Sequence, residues 1–192
     1  MLNNILEDRN LILASGSPRR QNFFKQLGVN FTINVRAIDE VYPPHLKGSD
    51  ITDFLARLKA SAFSNLAEKD ILVTSDTIVW LQGKAIGKPK SPEDAHRMLR
   101  ELSGKKHQVY TSVCFTTSRT QEVVNDCTDV WFRELTDEEI AYYIKTHEPF
   151  DKAGSYGIQD WLGYIGIEKI EGCFFNVMGL PTRKVYEALA TI

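Results

Sequence analysis

The 192-residue chain lacks the short motifs of several well-known nucleotide and hydrolase sites. It has no G-x-x-x-x-G-K-[ST] loop and no G-x-G-x-x-G segment after a predicted strand, which disfavours P-loop and Rossmann sites. It has no G-x-S-x-G elbow, and its four histidines show no metal-ligand spacing. Serine hydrolase triads and zinc enzymes therefore drop out as well. Any active site has to be assembled from residues that are dispersed along the sequence.

Cysteine, net charge and long apolar runs are also scarce. The three cysteines, an odd number without a C-x-x-C pair, favour a reducing compartment and core thiols over disulfides: Cys114, Cys127 and Cys173. The net charge of -2 provides no basic field for nucleic acid or anionic lipid. No apolar stretch approaches membrane-spanning length, and the first residues carry acids where a signal peptide carries bases. We therefore expect a cytoplasmic protein with no nucleic-acid or membrane partner.

The composition and the apolar patterns predict one α/β domain over residues 1–192. A hydrophobic content of 43% is enough for one core, or for two lobes that share it. Helical and strand patterns alternate and include one hairpin, which predicts a mixed sheet with flanking helices. Helices are predicted for 18–28, 51–67, 91–103, 136–147 and 181–190, and strands for 11–14, 31–35, 71–74, 78–81, 107–117, 122–132, 164–170 and 173–177.

The stretch Leu11–Gly28 is the first candidate site, because an apolar run leads through S-G-S-P into a helix. Ser17 suits the N-cap of that helix and Pro18 its first position. The open amides of a helix start bind anions, and Arg19 and Arg20 add two positive charges there. The alternative is a capped surface helix with two solvated arginines. The stretch predicts a phosphate site because other segments indicate the same chemistry.

Further charged residues occur where apolar patterns meet loops. Asp39 and Glu40 at a strand exit suit either a divalent cation or a solvated turn. Lys59 falls inside an apolar helical stripe, where it must find an anion, extend to solvent or lose solvation. Asp76 lies between two apolar segments, so it either accepts hydrogen bonds from the protein, binds a metal ion or caps a turn. Lys88 is either an exposed loop lysine or a phosphate ligand. Together these charges suit a polyphosphate held with a divalent cation.

Six blocks spanning nearly the whole chain closely resemble the Maf family of nucleoside triphosphate pyrophosphatases. In order they are ASGSPRR, SDTIV, IGKP, LSGKKHQVYTSV, EPFDKAGSYGIQ and IEGCFFNVMGLP. The resemblance implies an elongated α/β molecule of the inosine-triphosphatase-like fold, with two lobes around a nucleotide cleft. It also implies hydrolysis of a nucleoside triphosphate to the monophosphate and pyrophosphate with Mg²⁺ or Mn²⁺, and it favours a homodimer.

The same resemblance implies a role for each candidate residue. Asp76 matches the catalytic acid of the family, as general base, metal ligand or both, and Glu40 would help to hold the cation. The predicted substrate-binding residues are Ser15, Arg19, Arg20, Lys59, Thr77, Lys88 and Gln159, among which the arginines and lysines would hold the phosphates. Charge neutralisation at the α-phosphorus, with water attacking in line, needs little more.

Three of these residues, Arg19, Thr77 and Gln159, match the positions that carry base specificity in the family. They resemble the branch acting on dTTP and UTP, whereas the branch acting on 7-methyl-GTP typically has an aromatic residue, glutamine and glutamate there. A glutamine amide matches uracil O4 and N3–H, while a carboxylate only accepts hydrogen bonds. We expect a dTTP/UTP pyrophosphatase. The alternatives are 7-methyl-GTP hydrolysis and a non-catalytic nucleotide-binding regulator of septum formation.

Overall fold

The computed structural model describes residues 2–192 and has a mixed α/β fold, as the sequence predicts. The strands are β1 Asn10–Leu13, β2 Thr32–Ile33, β3 Asp70–Leu81, β4 Lys84–Ile86, β5 Lys106–Thr116, β6 Gln121–Phe132 and β7 Ile167–Glu171. The helices are α1 Leu2–Ile5, α2 Pro18–Gln26, α3 Ser49–Ser61, α4 Pro92–Leu102, α5 Asp137–His147, α6 Trp161–Gly166, α7 Phe174–Val177 and α8 Thr182–Leu189. Two 3-10 turns, Pro149–Asp151 and Ala153–Ser155, follow α5.

The strands form one mixed sheet in the order β2-β1-β3-β5-β6-β7, with β4 paired to β3 outside this path. Strand β1 is parallel to both β2 and β3, and Leu11 lies opposite Ile71 in the second pair. Strand β4 is antiparallel to β3, and β7 is antiparallel to β6. The combination confirms the predicted mixed sheet. No helix among residues 2–192 has the length and apolarity needed to cross a bilayer.

The chain folds into two compact units. Unit 1 comprises Met1–Asp76, Thr111–Asp126 and Gly179–Ile192, and unit 2 comprises Thr77–Tyr110 and Cys127–Met178. Within unit 1, a small core of Ala56, Ala60, Leu72 and Cys114 is covered by partly buried apolar side chains that include Phe63 and Leu66. Unit 2 has a larger core, to which α4, α5, β3 and β6 contribute buried side chains.

Helix α3 is shorter than the predicted 51–67. It ends at Ser61, and Asn65 has a φ of 62°, which a continuing helix does not allow. Phe63 and Leu66 still pack against the core of unit 1, from the segment after the helix. Asp50 lies in the first turn of α3 and is not its cap, because Gly48 is the N-cap residue.

Strand β3 is one continuous strand, so the predicted pair of short strands at 71–74 and 78–81 is wrong. Its polar residues Thr74, Ser75 and Asp76 are buried within the strand. The hydroxyl of Thr74 donates to the carbonyl of Ala56 at 2.7 Å, so this polar group is satisfied although it is buried. Asp76 therefore lies in mid-strand, and the alternative that it caps a turn is wrong.

The strongest local patterns of the chain are confirmed. The hydroxyl of Ser91 accepts from the amide of Asp94 at the start of α4. Thr136 and Glu139 form a reciprocal capping box at the start of α5. The predicted hairpin corresponds to β5 and β6, with three of the four strand ends shifted by one residue and the last end at Phe132 as predicted. These elements are specified by short-range signals and need no tertiary information.

Of the two strands predicted near the C-terminus, 164–170 is confirmed only from residue 167 onward, as β7, and 173–177 is wrong. Residues 164–166 form the end of α6, whereas residues 174–177 form the one-turn helix α7 with Cys173 as its N-cap residue. In α6, a Cβ added to Gly163 would lie 1.8 Å from the carbonyl oxygen of Ile158, so only glycine allows this close packing. In α7, the buried amide of Asn176 donates to the carbonyl of Val109 and the hydroxyl of Thr128. These side-chain contacts take the place of strand pairing.

Two smaller expectations also need correction. The predicted strand 31–35 is reduced to the two exposed residues of β2. Of the three cysteines expected in the core, only Cys114 is buried, whereas Cys127 is exposed and Cys173 is half-buried. All three are free thiols, as the odd number and the spacing predicted.

Candidate active site

Asp76 is a buried acid in the middle of β3, with its side chain 8% exposed. The ammonium of Lys59, from the last turn of α3, donates to Asp76 Oδ1 at 2.6 Å. Burial raises the pKa of Asp76 above its ordinary value, and the charges of Lys59 and Arg20 act against this rise. A carboxylate whose pKa is raised in this way is a stronger base than a solvated one.

Lys59 contacts three oxygen atoms. Besides Asp76, its ammonium lies 3.0 Å from Glu40 Oε1 and donates to the carbonyl of Ser75 at 3.3 Å. Of the alternatives that the sequence left open for this lysine, the structure shows the anion partners. The predicted position inside a stripe with Phe63 and Leu66 is wrong, because those residues lie beyond α3.

Arg20, in the first turn of α2, donates a hydrogen bond to the same backbone carbonyl as Lys59, that of Ser75. Its guanidinium donates to the carbonyl of Ser75 at 3.1 Å and to that of Gly179 at 2.9 Å. Burial lowers the pKa of Arg20, and the nearby Asp76 carboxylate opposes this effect. The Ser75 carbonyl thus accepts hydrogen bonds from two cationic side chains, Arg20 and Lys59, next to the Asp76 side chain. Arg19, beside Arg20 in sequence, is half-buried.

Ser15 and Ser17 shape the turn that leads into α2. Ser15 is buried, its hydroxyl accepts from the amide of Ser17 at 3.2 Å, and its carbonyl accepts from the Gln21 side chain at 3.0 Å. Ser17 occupies the N-cap position as predicted, but its side chain makes no capping hydrogen bond. Pro18 takes the first helical position, as expected.

Glu40 and Asp76 are the residues whose chemistry fits a divalent cation. Both carboxylates contact the same Lys59 nitrogen, although Glu40 remains 50% exposed. Among residues 2–192 there is no group of three or more histidine, cysteine or acidic side chains that could hold a metal ion. Two carboxylates suit Mg²⁺ or Mn²⁺, which take their other ligands from water and from substrate phosphates.

The remaining predicted residues belong to unit 2. Thr77 follows Asp76 in β3 and is half-buried, whereas Lys88 lies exposed in the loop after β4. Gln159 is half-buried and donates from Nε2 to Asp160 Oδ1 at 3.0 Å. Its Oε1 atom is buried without a hydrogen-bond partner. The structure thus brings Arg20, Glu40, Lys59 and Asp76 together within unit 1.

Comparison with known proteins identifies the family. A family model described as Maf-like protein matches residues 10–192. The chain belongs to the Maf family. It is 54% identical over 193 residues to a protein of Flavobacterium johnsoniae named dTTP/UTP pyrophosphatase, and the alignment covers 100% of both chains. It is 55% identical to a protein of Christiangramia forsetii with the same name, over 98% of this chain and 97% of the relative.

The fold of this Maf chain resembles that of a solved structure with a dissimilar sequence. A HAM1 protein from Coxiella burnetii superposes with a TM-score of 0.52 at 11% sequence identity. The likeness covers 96% of this chain and 100% of the other. At this identity the likeness concerns the fold alone, and it supports the predicted α/β class.

Sequence reasoning missed three groups that contact these candidate residues. The first is the carbonyl of Ser75, a backbone atom that no residue type reveals. The second is Asp160, which accepts from Gln159. The third is Tyr143, because its hydroxyl donates to Asp160 Oδ2 at 3.0 Å. The position of Asp160 next to Gln159 was a usable signal. Tyr143, 16 residues before Gln159, looked like any core aromatic residue of an amphipathic helix.

Proposed function

We propose that this Maf-family protein hydrolyses dTTP and UTP to the monophosphate and pyrophosphate, with residues 1–192 acting as one domain. The observation that carries the proposal is the 54% identity, over the whole of both chains, to a protein named dTTP/UTP pyrophosphatase. A single family model over residues 10–192 supports the single domain. The cluster around Asp76 supports hydrolysis over simple binding, because a buried, charged pair is costly for a fold to keep.

In this proposal Asp76 is the general base. Its Oδ1 is held by Lys59, which leaves Oδ2 to accept a proton from the attacking water. The raised pKa of Asp76 supports this role, since proton transfer is most efficient when the pKa of the base approaches the working pH. Water then attacks the α-phosphorus in line, and pyrophosphate leaves from the opposite side.

The cations have the complementary role of stabilising negative charge. Lys59, Arg20, Arg19 and Lys88 are proposed to bind the triphosphate. Ser15 would add a polar contact at the start of α2. Preorganised positive groups stabilise the charge that develops on phosphate oxygens without further reorganisation. The two backbone acceptors of Arg20 fix its guanidinium before substrate arrives.

Glu40 and Asp76 are proposed to hold a Mg²⁺ or Mn²⁺ ion. When bound, such an ion neutralises phosphate charge as a Lewis acid. Lys59 contacts both carboxylates and so keeps two acids close together that would otherwise repel each other. Removing divalent cations with a chelator should abolish turnover, and adding Mg²⁺ or Mn²⁺ back should restore it.

Thr77, Gln159 and Arg19 are proposed to select the base. Gln159 has both a donor and an acceptor, which match O4 and N3–H of uracil and thymine. A purine such as 7-methylguanine presents N1–H and N2–H₂ donors, which a carboxylate would accept better. Gln159→Glu should therefore shift the preference toward 7-methyl-GTP, and an unchanged preference would count against this assignment.

The decisive experiment is pyrophosphate release from a panel of triphosphates: dTTP, UTP, CTP and 7-methyl-GTP. We expect turnover of dTTP and UTP, and its loss in Asp76→Asn. Asp70→Asn is the matched control, because it makes the same chemical change on the same strand and should retain turnover. Binding of UTP without hydrolysis under any divalent metal would instead support a non-catalytic nucleotide-binding regulator. Hydrolysis of 7-methyl-GTP alone would support a 7-methyl-GTP pyrophosphatase.

Two further properties are proposed with the function. The three free thiols support a reducing, cytoplasmic location. Exposed aromatic side chains in unit 2 support a homodimer: Tyr164 is 79% exposed, and Phe174 and Phe175, whose rings contact each other edge to face, are 39% and 46% exposed. Light scattering after size-exclusion chromatography tests the dimer, and a monomer mass would refute it.

A further inference from the structure

The amide of Gln159 is held in one orientation by a network within unit 2. Its Nε2 donates to Asp160 Oδ1 at 3.0 Å, and the hydroxyl of Tyr143 donates to Asp160 Oδ2 at 3.0 Å. The ammonium of Lys152 lies 3.6 Å from the same Oδ2. The Tyr143 hydroxyl also accepts from the amide of Gly157 at 3.0 Å, so its own proton is directed to Asp160. Tyr143 is fully buried, which makes this support rigid.

This network decides which end of the Gln159 amide remains for a ligand. A carboxylate oxygen accepts hydrogen bonds and donates none, so the amino end of the amide must face Asp160. A flipped amide would place its oxygen against the carboxylate and lose the bond. Oε1 and the second Nε2 proton of Gln159 therefore remain available to a ligand. Oε1 is buried and has no hydrogen-bond partner in the free protein. An unpaired buried acceptor is unfavourable, and a donor supplied by a ligand would relieve it.

Gly157 limits how far the amide can move. A Cβ added at this position would lie 2.5 Å from Asp160 Oδ2 and 2.6 Å from Gln159 Nε2. The two polar side chains therefore pack directly on the backbone of residue 157. Because Oε1 is buried, a ligand donor reaches it only when a neighbouring group moves aside, while the bond to Asp160 keeps the order of donor and acceptor unchanged.

We propose that Asp160 is a positioning residue that makes the site accept uracil and thymine and reject cytosine. It fixes Gln159 so that Oε1 accepts from a ring N–H, which uracil and thymine have at N3, whereas N3 of cytosine is an acceptor. The remaining Nε2 proton then suits the O4 carbonyl, which cytosine replaces with an amino group. A flipped amide would match cytosine equally well, and Asp160 prevents the flip. The inference rests on the proposed function, in which Gln159 contacts the base.

The test is Asp160→Asn, assayed for kcat/KM with UTP and with CTP. An amide at position 160 can donate as well as accept, so both orientations of Gln159 become possible. We expect the ratio of kcat/KM for UTP to that for CTP to fall about tenfold, the effect of one misdirected hydrogen bond. Asp137→Asn is the matched control, because this exposed acid on α5 pairs with Arg100 and does not contact Gln159. The ratio should stay unchanged in the control.

A purely structural role for Asp160 would lower kcat/KM for both nucleotides by the same factor, and that result would overturn the proposal. An unchanged ratio would do the same. Tyr143→Phe is the second variant in case Asp160→Asn does not fold, since it removes only the hydroxyl, which donates to Asp160 and accepts from the amide of Gly157. It should reduce the ratio in the same direction but by less, and an unchanged ratio in this variant would also contradict the proposal.

Binding measurements separate this inference from the proposed function. Calorimetry with the α,β-methylene analogues of UTP and CTP reports base selection without hydrolysis. If the wild-type protein binds the UTP analogue more tightly and Asp160→Asn removes that preference, the positioning role holds even where no turnover is detected. If the wild-type protein hydrolyses UTP but neither the kinetic nor the binding ratio changes in the variant, the function stands and the positioning role is wrong.

Discussion

Replacing Lys59 with methionine tests how much the charge of Lys59 stabilises the buried carboxylate of Asp76. Methionine keeps much of the length and apolar character of the side chain but removes the charge. Asp76, with a side chain only 8% exposed, then loses the ammonium 2.6 Å from its Oδ1. Glu40 loses the same partner at 3.0 Å. The variant therefore leaves a buried carboxylate without its nearest cation and next to a like charge.

The expected loss of stability follows from this burial. Removing one partner of a buried ion pair costs about 3–5 kcal/mol, because the other charge is left uncompensated. Lys59 retains 18% exposure and Arg20 stays near Asp76, so we expect the lower end, about 3 kcal/mol at pH 7. With a slope of about 2–3 kcal/mol per M in urea, the unfolding midpoint should fall by about 1 M.

The pH dependence of this loss has a defined sign. Without Lys59 the pKa of Asp76 rises further above its value in the unfolded chain, since the cation that opposed the rise is gone. A raised folded pKa gives stability to the protonated form, present at low pH and lost as pH rises. The difference between Lys59→Met and wild type should therefore be largest near neutral pH and shrink toward pH 5.

Two further variants make the reasoning refutable. Adding Asp76→Asn to Lys59→Met removes the stranded charge and should restore most of the lost stability. Lys69→Met is the matched control, because Lys69 is 65% exposed in a surface pair with Asp8 at 3.6 Å, and its loss should change stability by less than about 1 kcal/mol. A Lys59→Met midpoint equal to that of the control, or a double variant no more stable than the single one, would refute the account.

Three more predictions concern unit 2. Thr136→Ala removes half of the capping box of α5 and should cost about 1 kcal/mol, seen as a melting temperature lower by about 2–4 °C; an unchanged temperature would deny the cap a role. Gly154→Ala should cost about 2 kcal/mol in urea unfolding, because φ is +68° and the new Cβ would lie 2.8 Å from Val79 Cγ2; a neutral result would contradict this packing. Burial lowers the pKa of His107 to about 4, so the neutral ring gives stability that is lost as pH falls below about 6.5 toward 4. His107→Gln should flatten that part of the curve of unfolding free energy against pH, and parallel curves for the two proteins would exclude His107 as the cause.

The parts of the fold that sequence predicted best are those with short-range causes. The caps at Ser91 and Thr136 involve partners three residues away, and the β5–β6 hairpin involves a short turn. The helix α7 was missed because its cause is the Asn176 side chain, which bonds to residues 48 and 67 positions away. A pattern of apolar residues over a few positions does not contain that information.

For the candidate site, the sequence indicated single residues that need a partner, but it did not indicate the contacts between them. The positions of Lys59 and Asp76 each indicated a charge that needs a partner, and the two proved to be partners of each other across 17 residues. Asp160 accepts hydrogen bonds from both Gln159 and Tyr143. This arrangement depends on how α5 packs against the later loop, and a local sequence pattern does not contain that information. The sequence therefore indicates which side chains need a partner, whereas the tertiary fold determines which partner each of them contacts.

The run Thr74–Thr77 places polar groups in a strand whose neighbours are fully buried apolar residues, and this conflict is itself informative. Thr74 satisfies its hydroxyl on Ala56, but the raised pKa of Asp76 means that its charge is unfavourable in the folded state despite the contact with Lys59. By linkage, a folded pKa above the unfolded one removes stability as the acid ionises, so at neutral pH the charged form of Asp76 weakens the fold. Asp76→Asn should accordingly unfold at a urea concentration equal to or above that of wild type at pH 7, while Lys59 keeps Glu40 and the Ser75 carbonyl as partners. A clearly less stable Asp76→Asn would mean that the acid is kept for the fold, whereas a stable and inactive one would mean that it is kept for catalysis.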